Sequence, residues 1–163
     1  VAEMHARHGI SYMRTIRGKT PILYESKEEF QIGGSKLHGK SEGIAGAVVA
    51  AGITVANALE AQKKLAADGV EIAVLDAYSI KPIDKERIGK IADASGFILA
   101  VEDHYPEGGL CEAVAAAVEG RAPVYAQAVT KKPHSGDSLR LLQEQGLDTD
   151  SIVRRVKELA ATH

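Results

Sequence analysis

From Gly43 onward, short apolar runs alternate with longer stretches of helical periodicity. Ile44 to Ala51 is a run of the kind buried on both faces of a parallel sheet. Thr54 is a fitting N-cap after it, and Val55, Ala58, Ala61 and Leu65 then share one helical face that Gly69 ends. Ile72 to Leu75 predicts the next strand. Asp84 is placed to cap a helix whose Ile83 and Ile88 occupy the two hydrophobic-staple positions, with Ile88 and Ile91 facing inward. Gly96 to Val101 predicts a third strand, Leu110 to Glu119 a helix stopped by Gly120, and Pro123 to Ala128 a fourth strand. Two helices, near 138–145 and 151–161, complete the pattern. Such alternation predicts the α/β class: a three-layer arrangement with a mainly parallel sheet and helices on both faces.

The first forty residues read differently. Val1 to His8 has helical composition, with Gly9 where a left-handed C-cap belongs. Two turns of helix do not stand alone in water, so the chain reads as a fragment, or as a subunit whose start has been lost. Ile10 to Ile16 is strand-like and Pro21 to Tyr24 is a second short apolar piece. From Glu25 to Ser41 charges, glycines and scattered polar residues read as a linker.

Composition narrows the function classes. The 45% hydrophobic and 26% charged residues suit a soluble globular domain of one core. With 20 Lys and Arg against 22 Asp and Glu, no basic excess exists to neutralise a phosphate backbone, so nucleic acid is not an expected partner. The longest apolar stretch, Ile44 to Ile53, is about half a membrane span. One cysteine allows neither a disulfide framework nor a thiolate cluster for zinc. A cytoplasmic protein without membrane partners is the expectation.

Several residues could carry chemistry, each with a plainer alternative. Gly52 to Thr54 joins a strand to a helix N-terminus but lacks the dinucleotide-binding glycine pattern, and reads as a simple turn. His5 and His8 are three apart, without an evident third ligand. Cys111 stands near a helix start, where a thiol can acidify, or it is a small buried hydrophobe. Val101 to Gly109 is the densest polar cluster, at the carboxyl end of a strand where α/β folds place ligands. Glu102, Asp103 and His104 could serve acid–base work there, or could hold an interface or cap the next helix, and structure is the favoured reading. Arg14 and Arg17 would point to opposite faces of an extended strand, so at most one shares a given site. The guanidinium fork suits phosphate, and a solvated surface charge is the alternative.

The segment VEDHYPEGGLCEAV, residues 101–114, resembles a motif near the end of transketolases, usually VEDHYxEGGxGEAV. Residues 12–17 (YMRTIR), 30–33 (FQIG), 74–84 (VLDAYSIKPID), Ser135-Gly136 and Gly146-Leu147-Asp148 agree in the same order, so the resemblance spans nearly all of the chain. Cys111 departs from it, where the family usually has Gly. The resemblance implies that residues 1–24 are the tail of a pyrimidine-binding domain, 25–42 a linker and 43–163 the transketolase C-terminal domain. It implies a part of an enzyme that moves a two-carbon ketol unit from a ketose phosphate to an aldose phosphate in the pentose phosphate pathway. Thiamine diphosphate and Mg2+ (or Ca2+) would belong to the complete enzyme, a homodimer, and none of the cofactor, metal or catalytic residues to this chain. The expected partners are the remaining transketolase domains, or a partner subunit, and sugar phosphates. By motif position Arg17 matches the arginine that contacts substrate phosphate, whereas Arg14 does not carry that role over. A non-catalytic structural module and a free-standing α/β ligand-binding domain are the alternatives.

Overall fold

The structure, a computed structural model, describes residues 1–16 and 18–163. Its centre is a five-stranded sheet in the order β1-β3-β2-β4-β5. The strands are β1 (Lys36–His38), β2 (Gly46–Ala50), β3 (Ile72–Asp76), β4 (Ile98–Val101) and β5 (Val124–Gln127). The four from β2 to β5 are parallel, and β1 runs antiparallel along the free edge of β3. The helices are α1 (Ala2–His5), α2 (Ile53–Ala67), α3 (Lys85–Ala94), α4 (Leu110–Val118), α5 (Ser138–Gln145) and α6 (Thr149–Ala160). The expected α/β class, with a mainly parallel sheet between helices, is what the chain adopts.

Each central strand feeds both faces, because successive side chains alternate. Ala47, Val49, Ala73, Leu75 and Ile98 pack with Ile88 and Ile91 of α3 and Val114 and Val118 of α4. Val48, Val74, Leu99 and Val101 pack on the other face with Val55, Ala58 and Leu65 of α2 and Ile152 and Val156 of α6. This two-sided burial explains why β2, β3 and β4 are apolar throughout instead of alternating. Phe97 is fully buried and lies against Gly46, where a Cβ would overlap its ring.

Three local expectations need correction. Helix α2 starts at Ile53 with Gly52 as its N-cap, so Thr54 falls inside the first turn. Its hydroxyl donates to the carbonyls of Ala51 and Val101, both at 2.9 Å, and so ties the end of β2 to the end of β4. The strand-like run at 10–16 is not a strand: a strand needs a ladder partner, and this run, like the apolar piece at 21–24, has none among the described residues. Ile10, Tyr12 and Ile22 are left exposed. Within 25–42, by contrast, the stretch read as a linker supplies β1 and is pinned ahead of it. Tyr24 stacks edge-on against Phe30, and Phe30 against Tyr78. Ser35 donates to Asp84 at 2.7 Å, and the Gly33 N–H donates to Ser79 at 2.9 Å.

Asp84 caps α3 through Arg87 N, as its position predicts. No helix among the described residues is long and apolar enough to cross a membrane.

Candidate functional site

The order of the sheet reverses between β2 and β4, and the loops leaving their carboxyl ends define the crevice where open α/β sheets place ligands. The polar cluster predicted from sequence stands there, and its three residues do three separate things.

Glu102 directly follows β4, and the ladder continues past it: its N–H donates to Gln127 O at 3.1 Å, and Val129 N donates to His104 O at 2.9 Å. The side chain is buried, at 4% exposure. Its carboxylate accepts from Leu110 N at 2.5 Å and Cys111 N at 3.1 Å. The N-cap residue of α4 is Gly109, which has no side chain to cap with, so Glu102 does this from eight residues upstream. A carboxylate against the first free N–H groups satisfies both hydrogen bonding and the helix dipole. Gly109 makes room for it, because a Cβ there would overlap the Glu102 carboxylate and the Tyr105 carbonyl.

Asp103 faces the other way and receives Arg14. The guanidinium donates from Nη1 to Oδ1 at 3.1 Å and from Nη2 to Oδ2 at 2.7 Å, with a third bond from Nη2 to the Asp103 carbonyl at 3.2 Å. This is the bidentate geometry that a planar guanidinium and a carboxylate favour. His104 is exposed, and its Nδ1 lies 2.7 Å from the Tyr105 carbonyl. Neither Glu102 nor Asp103 bonds to His104, so the trio forms no acid–base pair. Arg17, the arginine matched to a phosphate contact, lies outside the described residues.

Cys111 is half-buried in α4, where burial first and then the Glu102 and Glu112 charges push its thiol pKa up, contrary to the acidified thiol its helix-start position allows. His5 and His8 are exposed on and just beyond α1.

One polar constellation escaped the sequence reading. Asp76 closes β3 almost fully buried, at 6% exposure. Tyr24 donates to its Oδ2 at 2.7 Å, and His38 Nε2 lies 3.0 Å from the same phenol oxygen. Burial pushes the Asp76 carboxyl pKa up, against the opposing pull of the Tyr24 bond and the His38 ring. Burial and Asp76 together push the Tyr24 phenol well above its ordinary range. The one available signal was the aspartate ending an otherwise apolar strand, Ile72 to Asp76.

A diphosphate held through a divalent metal needs free oxygen ligands. At the carboxyl edge Glu102, Asp103 and Asp76 are already engaged by backbone N–H groups, a guanidinium and a phenol. Among the described residues no three His, Cys, Asp or Glu side chains converge as a metal site. The residues present do not fit a metal-bound diphosphate.

Residues 36–152 match the family model described as the transketolase C-terminal domain. The chain is 44% identical over 154 residues to the transketolase of Mus musculus and 41% to that of Homo sapiens, covering 93% of itself in both cases. It is 40% identical to transketolase-like protein 1 of Bos taurus. It spans about a quarter of the length of these relatives: 25%, 25% and 26%. Among solved structures, a split gene transketolase described as an inactive beta4 tetramer superposes with a TM-score of 0.82 at 31% identity, covering 89% of this chain and 48% of that one. A 2-oxoglutarate:ferredoxin oxidoreductase from Magnetococcus marinus shares the fold at a TM-score of 0.60 and 16% identity, over 78% of this chain and 20% of that one. With a family model matched over most of the chain and the Glu102-capped loop built from its signature segment, the chain belongs to the transketolase C-terminal domain family.

Proposed function

We propose that the chain serves as the C-terminal part of a thiamine-diphosphate-dependent transketolase, acting on sugar phosphates in the pentose phosphate pathway. In the complete enzyme the cofactor, held through Mg2+ or Ca2+, supplies the carbanion chemistry of ketol transfer. This chain contributes the C-terminal domain, support for a homodimer, and one substrate-phosphate contact, Arg17. Residues 1–24 are the tail of the preceding pyrimidine-binding domain, and 25–42 join it to the C-terminal domain while supplying that domain's edge strand β1. The isolated chain is inactive.

The observation that carries this reading is the state of residues 10–22. Ile10, Tyr12 and Ile22 are exposed at 105%, 85% and 93%, in a segment whose backbone finds no ladder among the described residues. Apolar strand-like sequence left without a sheet is suited to a sheet edge outside this domain. The split gene transketolase neighbour, a tetramer by its own description, supports self-association of such a piece.

The test is Arg17→Ala in the complete enzyme. Loss of a charge-assisted hydrogen bond, about 1.5–3 kcal/mol, lowers kcat/KM for phosphorylated donors about 10–200-fold, mainly through KM. A short hydroxy-keto acid donor without phosphate is barely affected. Arg17→Lys recovers part of the loss, because the fork is replaced by a single ammonium. Equal losses on both donor types contradict the phosphate assignment.

A further inference from the structure

Arg14 and Asp103 are 89 residues apart, and their bidentate pair ties the segment before β1 to the domain. Among the described residues up to Leu23, Arg14 is the residue whose side chain hydrogen-bonds beyond the segment. Asp103, on the other side, is immobilised from both directions. Glu102 before it is buried, bonds β5 through its N–H and caps α4 with its carboxylate, and His104 after it accepts from Val129. Asp103 is therefore a fixed point, presented to solvent with only 24% of its side chain exposed. Its backbone carbonyl joins the two carboxylate oxygens in gripping the same guanidinium, so both the position and the direction of Arg14 are specified.

Arg17 follows Arg14 by three residues, which is at most about 10 Å of extended chain. A tether that close limits where the later arginine reaches, whichever way it turns. We propose that Asp103, through Arg14, is a positioning residue for the substrate-phosphate contact: the C-terminal domain anchors the chain three residues before Arg17. This rests on the reading of Arg17 as that contact. Asp103 touches no substrate on this account, and its effect is confined to ligands that bear the phosphate.

The experiment uses the complete enzyme and two ketol donors, one phosphorylated and one a short hydroxy-keto acid. Asp103→Asn keeps the side chain's shape and removes the ion pair. It is expected to raise KM for the phosphorylated donor about 3–5-fold, the scale of one half-exposed ion pair, with the unphosphorylated donor unchanged. The exchanged pair, Arg14→Asp with Asp103→Arg, restores most of the loss if the tie itself is what matters. Equal melting temperatures of Asp103→Asn and the parent exclude a folding defect as the cause. Selective loss with rescue supports the inference. No loss, or equal loss on both donors, overturns it while a phosphate-selective Arg17→Ala leaves the parent reading standing. An unselective Arg17→Ala removes both.

Discussion

Glu102 shows how one side chain can look catalytic in sequence and be structural in space. A glutamate before Asp-His at the carboxyl end of a strand is what an acid–base site would offer. Its burial and its two backbone donors instead make it the cap of α4. Glu102→Gln keeps one acceptor, loses the charge and turns an amide toward N–H donors. It should cost about 1–3 kcal/mol. For a chain of this size that is about 2–4 °C in Tm per kcal/mol, measured by thermal denaturation. Gly109→Ala should cost about the same by overpacking, since the new methyl meets the Glu102 carboxylate and a backbone carbonyl. A variant at either position that melts like the parent contradicts this role. That this cluster could cap the next helix was legible from its place between a strand and a helix. Which residue does what was not, because Asp103 is occupied by a partner 89 positions away. Thr54 misled for a related reason: its hydroxyl is taken by the Val101 carbonyl of a different strand, and this outweighs its N-cap preference.

At the scale of elements, periodicity located the buried ones well and the edge ones poorly. Strands β2, β3 and β4 are continuous apolar runs because both faces are covered, and that signal is strong in sequence. Strand β1 has three half-buried residues, shorter than any window in which alternation can be counted. The stretch around it is fixed by single contacts, chiefly the Tyr24 phenol on Asp76 and the Tyr24–Phe30–Tyr78 stack, which leave no periodic trace. Two outcomes follow. Tyr24→Phe leaves the buried Asp76 without that donor and should cost about 1–3 kcal/mol at neutral pH. The folded state raises the Tyr24 pKa, so the native chain retains a proton that the unfolded chain loses above about pH 10. This contribution is complete below pH 10 and is lost as pH rises further. Denaturant titrations should show a steeper alkaline decline for the parent than for Tyr24→Phe, and parallel curves would refute the clasp. Limited trypsin treatment should remove residues up to Lys19 while leaving Lys36 uncut, because Lys36 lies in the sheet and the earlier segment has no ladder. First cuts within β1 would contradict the pinning described for residues 24–38.

The whole chain is a well-packed domain with an ill-fitting beginning. Two apolar clusters close over both faces of the sheet, while Ile10, Tyr12 and Ile22 stand in solvent. Its length is about a quarter of the transketolases it resembles, at 25% of the mouse protein. At the carboxyl edge Glu102, Asp103 and Asp76 are engaged, and among the described residues no three His, Cys, Asp or Glu side chains converge as a site for a metal-bound diphosphate. On the proposed function, this chain completes an enzyme whose cofactor site lies outside it. Calorimetric titration of the isolated chain with thiamine diphosphate and magnesium tests that most directly. No saturable heat is expected, and saturable micromolar binding by this chain alone would overturn that reading.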